Sequence, residues 1–144
     1  MELDIRSLSK LATCDPRLVR IIVEAQSRIP RQLKVLFGER DAQEQNALFD
    51  QERSQVRFPN SKHNVAPGIR DKAEAVDVCF ADIDWELLDK GDKVEWGRCY
   101  YLIGVIWSIA VEMGFKIRPG GDWDGDFELK DQKFYDLCHI EIIN

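Results

Sequence analysis

Residues 75–80 read Ala75-Val76-Asp77-Val78-Cys79-Phe80, five apolar side chains around one carboxylate. A short apolar run of this kind, with Glu74 before it and Ala81-Asp82 after it, reads as a strand buried in a sheet. An aspartate in its middle is costly, because an ionised carboxylate taken from water without a partner loses its solvation. Two ways of meeting that cost are open. An arginine such as Arg40 or Arg70 pairs with Asp77, or Asp77 ligates a metal ion.

Upstream of this strand, Gln51 to Lys72 has no apolar period and holds Pro59, Pro67 and Gly68. Loops of that length are uncommon inside compact domains and are often functional. Before the loop, Asp41 and Glu44 form a capping-box pattern, opening a helix that turns Ala47, Leu48 and Phe49 inward. Leu33, Val35 and Phe37 alternate with polar neighbours as a short strand ending at Gly38. Asp15-Pro16 opens an earlier helix, whose apolar face is Leu18, Ile21, Ile22 and Ala25. Downstream, Val94 to Met113 is the longest expected helix, closed by Gly114. Phe115 to Ile117 is expected as a strand, Gly120 to Gly125 as a turn, and Cys138 to Ile143 as a terminal strand. Strands scattered among helices without a βαβ rhythm predict an α+β fold, in one domain over residues 1–144.

A net charge of -6 gives no footprint for nucleic acid and no attraction to an anionic cell wall. Met1 to Lys10 mixes apolar and charged residues and lacks a signal-peptide core. Tyr100 to Ala110 is too short to span a bilayer, so no stable membrane insertion and a cytoplasmic location are expected. Cys14, Cys79, Cys99 and Cys138 have no CxxC spacing and are expected to be free and buried. Asp122-Trp123-Asp124-Gly125-Asp126 opens like a calcium-binding EF-hand loop, but its glycine comes too early, and a solvated turn is expected instead.

The chain has two histidines. His63 lies in the long irregular loop, and His139 begins the terminal strand in Asp136-Leu137-Cys138-His139-Ile140-Glu141. Either one alone is as readily a surface or core residue. With Asp77 they make two imidazoles and one carboxylate, a set that suits catalytic zinc and leaves a position open for water. Asp136 precedes His139 closely enough to reach the same site and take the proton of an attacking water. Strand alternation puts Glu141 on the face of His139 and turns Cys138 and Ile140 away.

The ordered motifs Ser61-x-His63, Ala75-Val76-Asp77 and Asp136-x-x-His139 resemble the SxH…AxD…[DE]xxH signature of the zinc D,D-carboxypeptidase and L-alanyl-D-glutamate peptidase family, in particular its bacteriophage endolysin branch. The resemblance extends over most of the chain, through CDPRLVRIIVEAQ from Cys14, VLFGERDAQEQNALF from Val35 and GGDW from Gly120. It implies a small antiparallel sheet packed with helices and a zinc cleft on the sheet, as in hedgehog and D,D-peptidase folds. It further implies Zn2+ held by His63, Asp77 and His139, with Asp136 as catalytic base. Arg40, in the family's G-x-R position, would polarise the scissile carbonyl or bind a substrate carboxylate, and Ser61 and Glu141 are expected beside the substrate. The segment between histidine and aspartate, Asn64 to Val76, is longer than the family's usual spacing. Asp71 lies nearer that spacing, while Asp77 keeps the family's strand context. The implied function is hydrolysis of the peptidoglycan stem peptide at L-Ala–D-Glu by a monomeric endolysin that needs a holin-like membrane-opening partner. A D-Ala–D-Ala carboxypeptidase or dipeptidase of the same fold, or a non-catalytic zinc-stabilised binding module, are the alternatives.

Overall fold

Four antiparallel strands form one sheet in the order β1-β2-β4-β3, with β1 at Leu33–Phe37, β2 at Ala75–Phe80, β3 at Ile117–Pro119 and β4 at His139–Ile142. The computed structural model describes residues 1–144. Its helices are α1 (Ile5–Leu11), α2 (Pro16–Arg28), α3 (Ala42–Asp50), α4 (Trp85–Asp89) and α5 (Lys93–Met113).

The alternation of strand side chains sorts the sheet into two faces. Leu33, Val35, Val76, Val78, Ile117, Ile140 and Ile142 join a core with Leu18, Ile21 and Ile22 of α2 and Leu102, Ile106 and Ile109 of α5. Each fully buried aliphatic side chain there contributes about 1.5–3 kcal/mol relative to exposure. The alternate positions Asp77, His139, Glu141 and Arg118 line a cleft on the other face. All six residues of β2 are nevertheless buried, so its carboxylate is covered on the cleft side as well.

Local sequence accounts for the helix ends. Asp15 accepts from the Arg17 N–H ahead of Pro16, and Asp41 and Glu44 complete a reciprocal capping box. Asp92 accepts from the Val94 and Glu95 N–H groups, and Gly114 closes α5 in the left-handed region at φ 77°. Three features differ from expectation. α1 and α4 are additional helices, and the third strand begins at Ile117 rather than Phe115. Seven- and five-residue helices carry too little periodicity to read from sequence. α1 is held by its neighbours instead: the Ser7 hydroxyl, itself buried, accepts the Val35 N–H at 3.0 Å. Phe115 belongs to the exit of α5, because its N–H bonds back to the Ala110 carbonyl at 2.8 Å.

The segment before β2 is irregular, and side chains tether it. Buried Gln45 donates to Ser54 Oγ and the Val56 carbonyl, both at 2.8 Å. Arg70 Nη1 donates to the carbonyls of Ser61 at 2.7 Å and Asn64 at 3.2 Å. Arg70 is therefore a brace for the loop and not the partner of Asp77. All four cysteines are free and buried. No helix is long and apolar enough to cross a membrane.

Candidate active site

Asp77 and His139 sit opposite each other on β2 and β4. The tethered loop brings His63 to them. Ser61 Oγ accepts the His63 N–H at 3.2 Å, and the Arg40 N–H donates to the His63 carbonyl at 2.8 Å. Asn64, fully buried, accepts the Ser61 N–H at 3.0 Å and donates to the Arg40 carbonyl at 3.1 Å. Two strands and one braced loop thus converge on a single point.

Three atoms face one another there. His63 Nε2 lies 3.2 Å from Asp77 Oδ1, His139 Nδ1 lies 3.3 Å from the same oxygen, and the two ring nitrogens are 3.3 Å apart. The remaining polar atom of each residue is engaged elsewhere. His63 Nδ1 is 2.7 Å from the Gly38 carbonyl, His139 Nε2 is 2.8 Å from Glu141 Oε1, and Asp77 Oδ2 accepts from Arg40 Nη2 at 2.7 Å. A carbonyl and an ionised carboxylate can only accept, so each neutral imidazole donates outward and turns a bare lone pair inward. Asp77 Oδ1 is buried and has no hydrogen-bond partner. With both imidazoles neutral, three acceptors meet without a donor, an arrangement that fits a cation. Their separations match the edge, about 3.3 Å, of a tetrahedron of ligands roughly 2.0 Å from zinc. The donor set therefore fits a zinc ion; Arg40 occupies one Asp77 oxygen, and the other faces the two imidazoles.

The electrostatics point the same way. Burial alone would raise the Asp77 pKa, but His63 and His139 outweigh it and hold the carboxyl well below its usual range. Burial would likewise lower that of His139, yet Asp77 and Glu141 hold the imidazole up at about 10, so without a metal ion the ring keeps a proton that a bound cation would displace. Glu141 is also buried, and His139 and Arg118 bring it down to about 2. The site favours positive charge at its centre.

Asp136 stands at the rim, with Oδ2 4.0 Å from His139 Nδ1 and its side chain half-exposed to the cleft. Partial burial, then the Asp77 charge, raise its pKa against the pull of His139, His63 and Arg40. Its position depends on close backbone approach. The Asp136 N–H donates to the Gly120 carbonyl at 2.8 Å, and a Cβ at Gly120 would lie 2.2 Å from the Asp136 carbonyl and 3.0 Å from His139 Cβ. Gly38 is similarly enclosed, since a Cβ there would lie 2.2 Å from the Lys10 carbonyl. Sequence reading noted both glycines as parts of motifs without seeing that each sets the position of a site residue.

Other expected site residues take different places. Arg40 lies in the cleft with its guanidinium stacked on Phe37, 4.3 Å from the ring centroid. Ser61 spends its hydroxyl on the His63 backbone. Both oxygens of Glu141 are engaged, one by His139 and the other by Arg118 at 2.8 Å and Lys62 at 3.5 Å, so it braces His139 rather than standing free for substrate. Asp71 is exposed and lies outside the group formed by His63, Asp77 and His139. Cys138 is buried and also lies outside that group. The acidic turn departs from expectation: Asp122 is buried, its Oδ2 accepts the Phe127 N–H at 3.1 Å, and the carboxylates of Asp122, Asp124 and Asp126 approach within 4.8 Å of one another.

Around the centre the cleft encloses about 680 Å³, walled by Trp85, Trp123, Phe134 and Tyr135. The Trp123 ring lies 5.3 Å from that of His139. Its charged residues balance, with Arg40, Arg53, Lys62 and Arg118 against Glu52, Asp77, Asp136 and Glu141.

A comparison with curated proteins finds no sequence match. Among solved structures, the crystal structure of Serratia marcescens L-Ala D-Glu endopeptidase ChiX is similar, with a TM-score of 0.69 and 20% identity over 99% of this chain and 90% of that one. At that identity the likeness speaks for the fold, an α+β sheet with helices packed on one face. The profile of the phage L-alanyl-D-glutamate peptidases matches residues 1–143, and the chain belongs to that family.

Proposed function

We propose that this chain is a zinc-dependent endopeptidase that hydrolyses the L-Ala–D-Glu bond of the peptidoglycan stem in the manner of a phage endolysin. The observation that carries this reading is the convergence of three bare lone pairs, from His63, Asp77 and His139, beside the free carboxylate of Asp136. Family membership supports the peptidase activity and the choice of bond.

His63 Nε2, His139 Nδ1 and Asp77 Oδ1 would hold the ion. When bound, zinc supplies Lewis acidity, polarising a peptide carbonyl and making water more acidic. Asp136 takes the proton of the attacking water at its carboxylate and returns it to the leaving amine. Its raised pKa brings acid and base forms closer in energy, which suits a group that must do both. Arg40 holds Asp77 in place through a 2.7 Å hydrogen bond, and its guanidinium lines the cleft floor, where it can polarise a carbonyl oxygen. The wall of Trp123, Phe134 and Tyr135 shields the reacting bond from bulk water.

A non-catalytic zinc module calls for a fourth protein ligand, and Cys138 lies outside the group formed by His63, Asp77 and His139. In the endolysin reading the protein works as a monomer, accumulates inside the host cell, and reaches the wall once a holin-like partner opens the membrane. Metal analysis of the purified protein, followed by mass spectrometry of digested muropeptides, tests the proposal. Equimolar zinc and new termini at L-Ala and D-Glu are expected. Zinc-loaded protein that leaves muropeptides intact would overturn it, and cleavage at D-Ala–D-Ala would reassign the bond.

A further inference from the structure

We propose that Arg118, supported by Lys62, forms the subsite that recognises the free carboxylate of the leaving glutamate. The inference rests on the peptidase reading above and deepens it by naming what sets the choice of leaving residue.

Glutamate has two carboxyl groups, and a stem that continues beyond it uses one. Hydrolysis at its amine therefore always has a carboxylate within a few bonds of the leaving nitrogen. The alanine on the acyl side carries no charge. A cation placed to one side of the metal centre would distinguish these two sides.

Arg118 lies directly opposite Glu141 across β3 and β4, two residues beyond His139 on the cleft face. That is about 6–7 Å along the strand from the ligand. Arg118 donates from Nε and Nη2 to Glu141 Oε2, at 3.3 and 2.8 Å. Lys62 Nζ stands 3.5 Å from the same oxygen and donates to the Ile142 carbonyl. The other Glu141 oxygen is taken by His139. One carboxylate thus meets two full positive charges, both lining the cleft, in a chain whose net charge is -6. The Arg118 side chain is 41% exposed, and its Nη1 has no partner in the protein. Arg40, by contrast, is nearly buried and tied to Asp77. An exposed guanidinium edge with unused N–H groups suits a carboxylate better than it suits a carbonyl, because its planar fork matches two oxygens.

The test compares two synthetic stem peptides that differ only in that carboxyl group, one free and the other a carboxamide. Zinc-loaded wild type should cleave the free acid with a kcat/KM at least about ten-fold higher, the size of one lost charge-assisted hydrogen bond. Arg118→Gln should cleave both alike, with its loss on the acid mainly in KM and its zinc content intact. Arg53→Gln removes the one cleft cation that has no ion pair and should keep the discrimination. Equal cleavage of both peptides by wild type overturns the proposal. So does discrimination that survives Arg118→Gln, or disappears in Arg53→Gln instead. Loss of zinc in Arg118→Gln would also overturn it, reducing Arg118 to a brace for Glu141. Calorimetric binding of the two peptides separates this question from the peptidase reading. Zinc-loaded protein that binds the acid in preference through Arg118 yet cuts neither peptide would sink the activity and leave the subsite standing.

Discussion

Glu141→Gln removes one negative charge from behind His139 and keeps the shape of the side chain. The wild-type carboxylate takes Nε2–H of His139 on one oxygen at 2.8 Å and Arg118 on the other at 2.8 Å, with Lys62 beside it. An amide cannot serve both sides. If its oxygen faces His139, its NH2 group faces two cations, and if it flips, a donor faces the imidazole N–H. Weakening the group behind a metal ligand costs about 10–100-fold in metal affinity, or about 1.4–2.8 kcal/mol at 1.4 kcal/mol per tenfold. The fold itself should lose about 1–3 kcal/mol, the worth of hydrogen bonds to a charged group that water near Arg118 partly screens. Competition with a chromophoric chelator at neutral pH reads the first quantity, and urea unfolding of the metal-free protein reads the second. The two also differ in pH dependence. Glu141 titrates at about 2 in the folded protein against 4.5 as its ordinary value, so its contribution is present above 4.5 and is lost as pH falls toward 2. Wild type and variant should therefore converge in stability across that acid range. Unchanged zinc affinity would refute the idea that Glu141 fixes the orientation and tautomer of His139. A collapse of the metal-free fold would attribute the loss to folding instead.

Asp136→Asn should retain zinc and lose about 10²–10⁴ in kcat, the usual worth of a positioned acid–base group, as read by muropeptide turnover. In the wild type kcat/KM should rise with pH through a carboxyl titration lying above the ordinary value, and this limb should be absent from the residual activity of the variant. Asp77→Ala should abolish zinc retention, whereas Asp71→Ala, at an exposed position, should leave metal content at the wild-type level. Gly120→Ala drives a Cβ to 2.2 Å from the Asp136 carbonyl and should cost about 1–3 kcal/mol in stability, together with most turnover. Gly97→Ala, on α5 with nothing within 4 Å, should instead stabilise the protein by about 0.5–1 kcal/mol in the same denaturation assay.

Which features were legible in the sequence follows from where their causes lie. β2 was legible because its apolar run is continuous, and α2, α3 and α5 because caps and periodicity are local properties. The convergence of His63, Asp77 and His139 followed from their scarcity and motif order, but spacing could not choose between Asp71 and Asp77, since that choice depends on which carboxylate the sheet buries. Glu141 was placed on the correct face by alternation, yet its commitment to Arg118 is a cross-strand pairing that no local pattern encodes. Ser61, expected beside the substrate from the family motif, has its hydroxyl oxygen on the His63 N–H, a placement set by the bend of the loop that no local pattern encodes. The burial of Asp122 was missed for a similar reason, since a run of aspartates looks solvated until Phe127 folds back over it.

The charge of the chain seemed to weigh against an anionic substrate, and the cleft removes that objection. Four cations and four carboxylates line it, so the excess of six negative charges lies elsewhere on the surface. Asp77 and Glu141 are buried and engaged by Arg40, Arg118 and the histidines, which leaves Arg53 and the free edge of Arg118 open to solvent beside the carboxylates of Glu52 and Asp136. Over distances beyond about 8–10 Å salt screens the outer charges, and only these nearby groups act on a bound peptide. Approach is then governed by diffusion without electrostatic steering, and selection takes place after contact. Raising ionic strength should accordingly affect association little, while substitution of Arg118 acts on discrimination at every salt concentration.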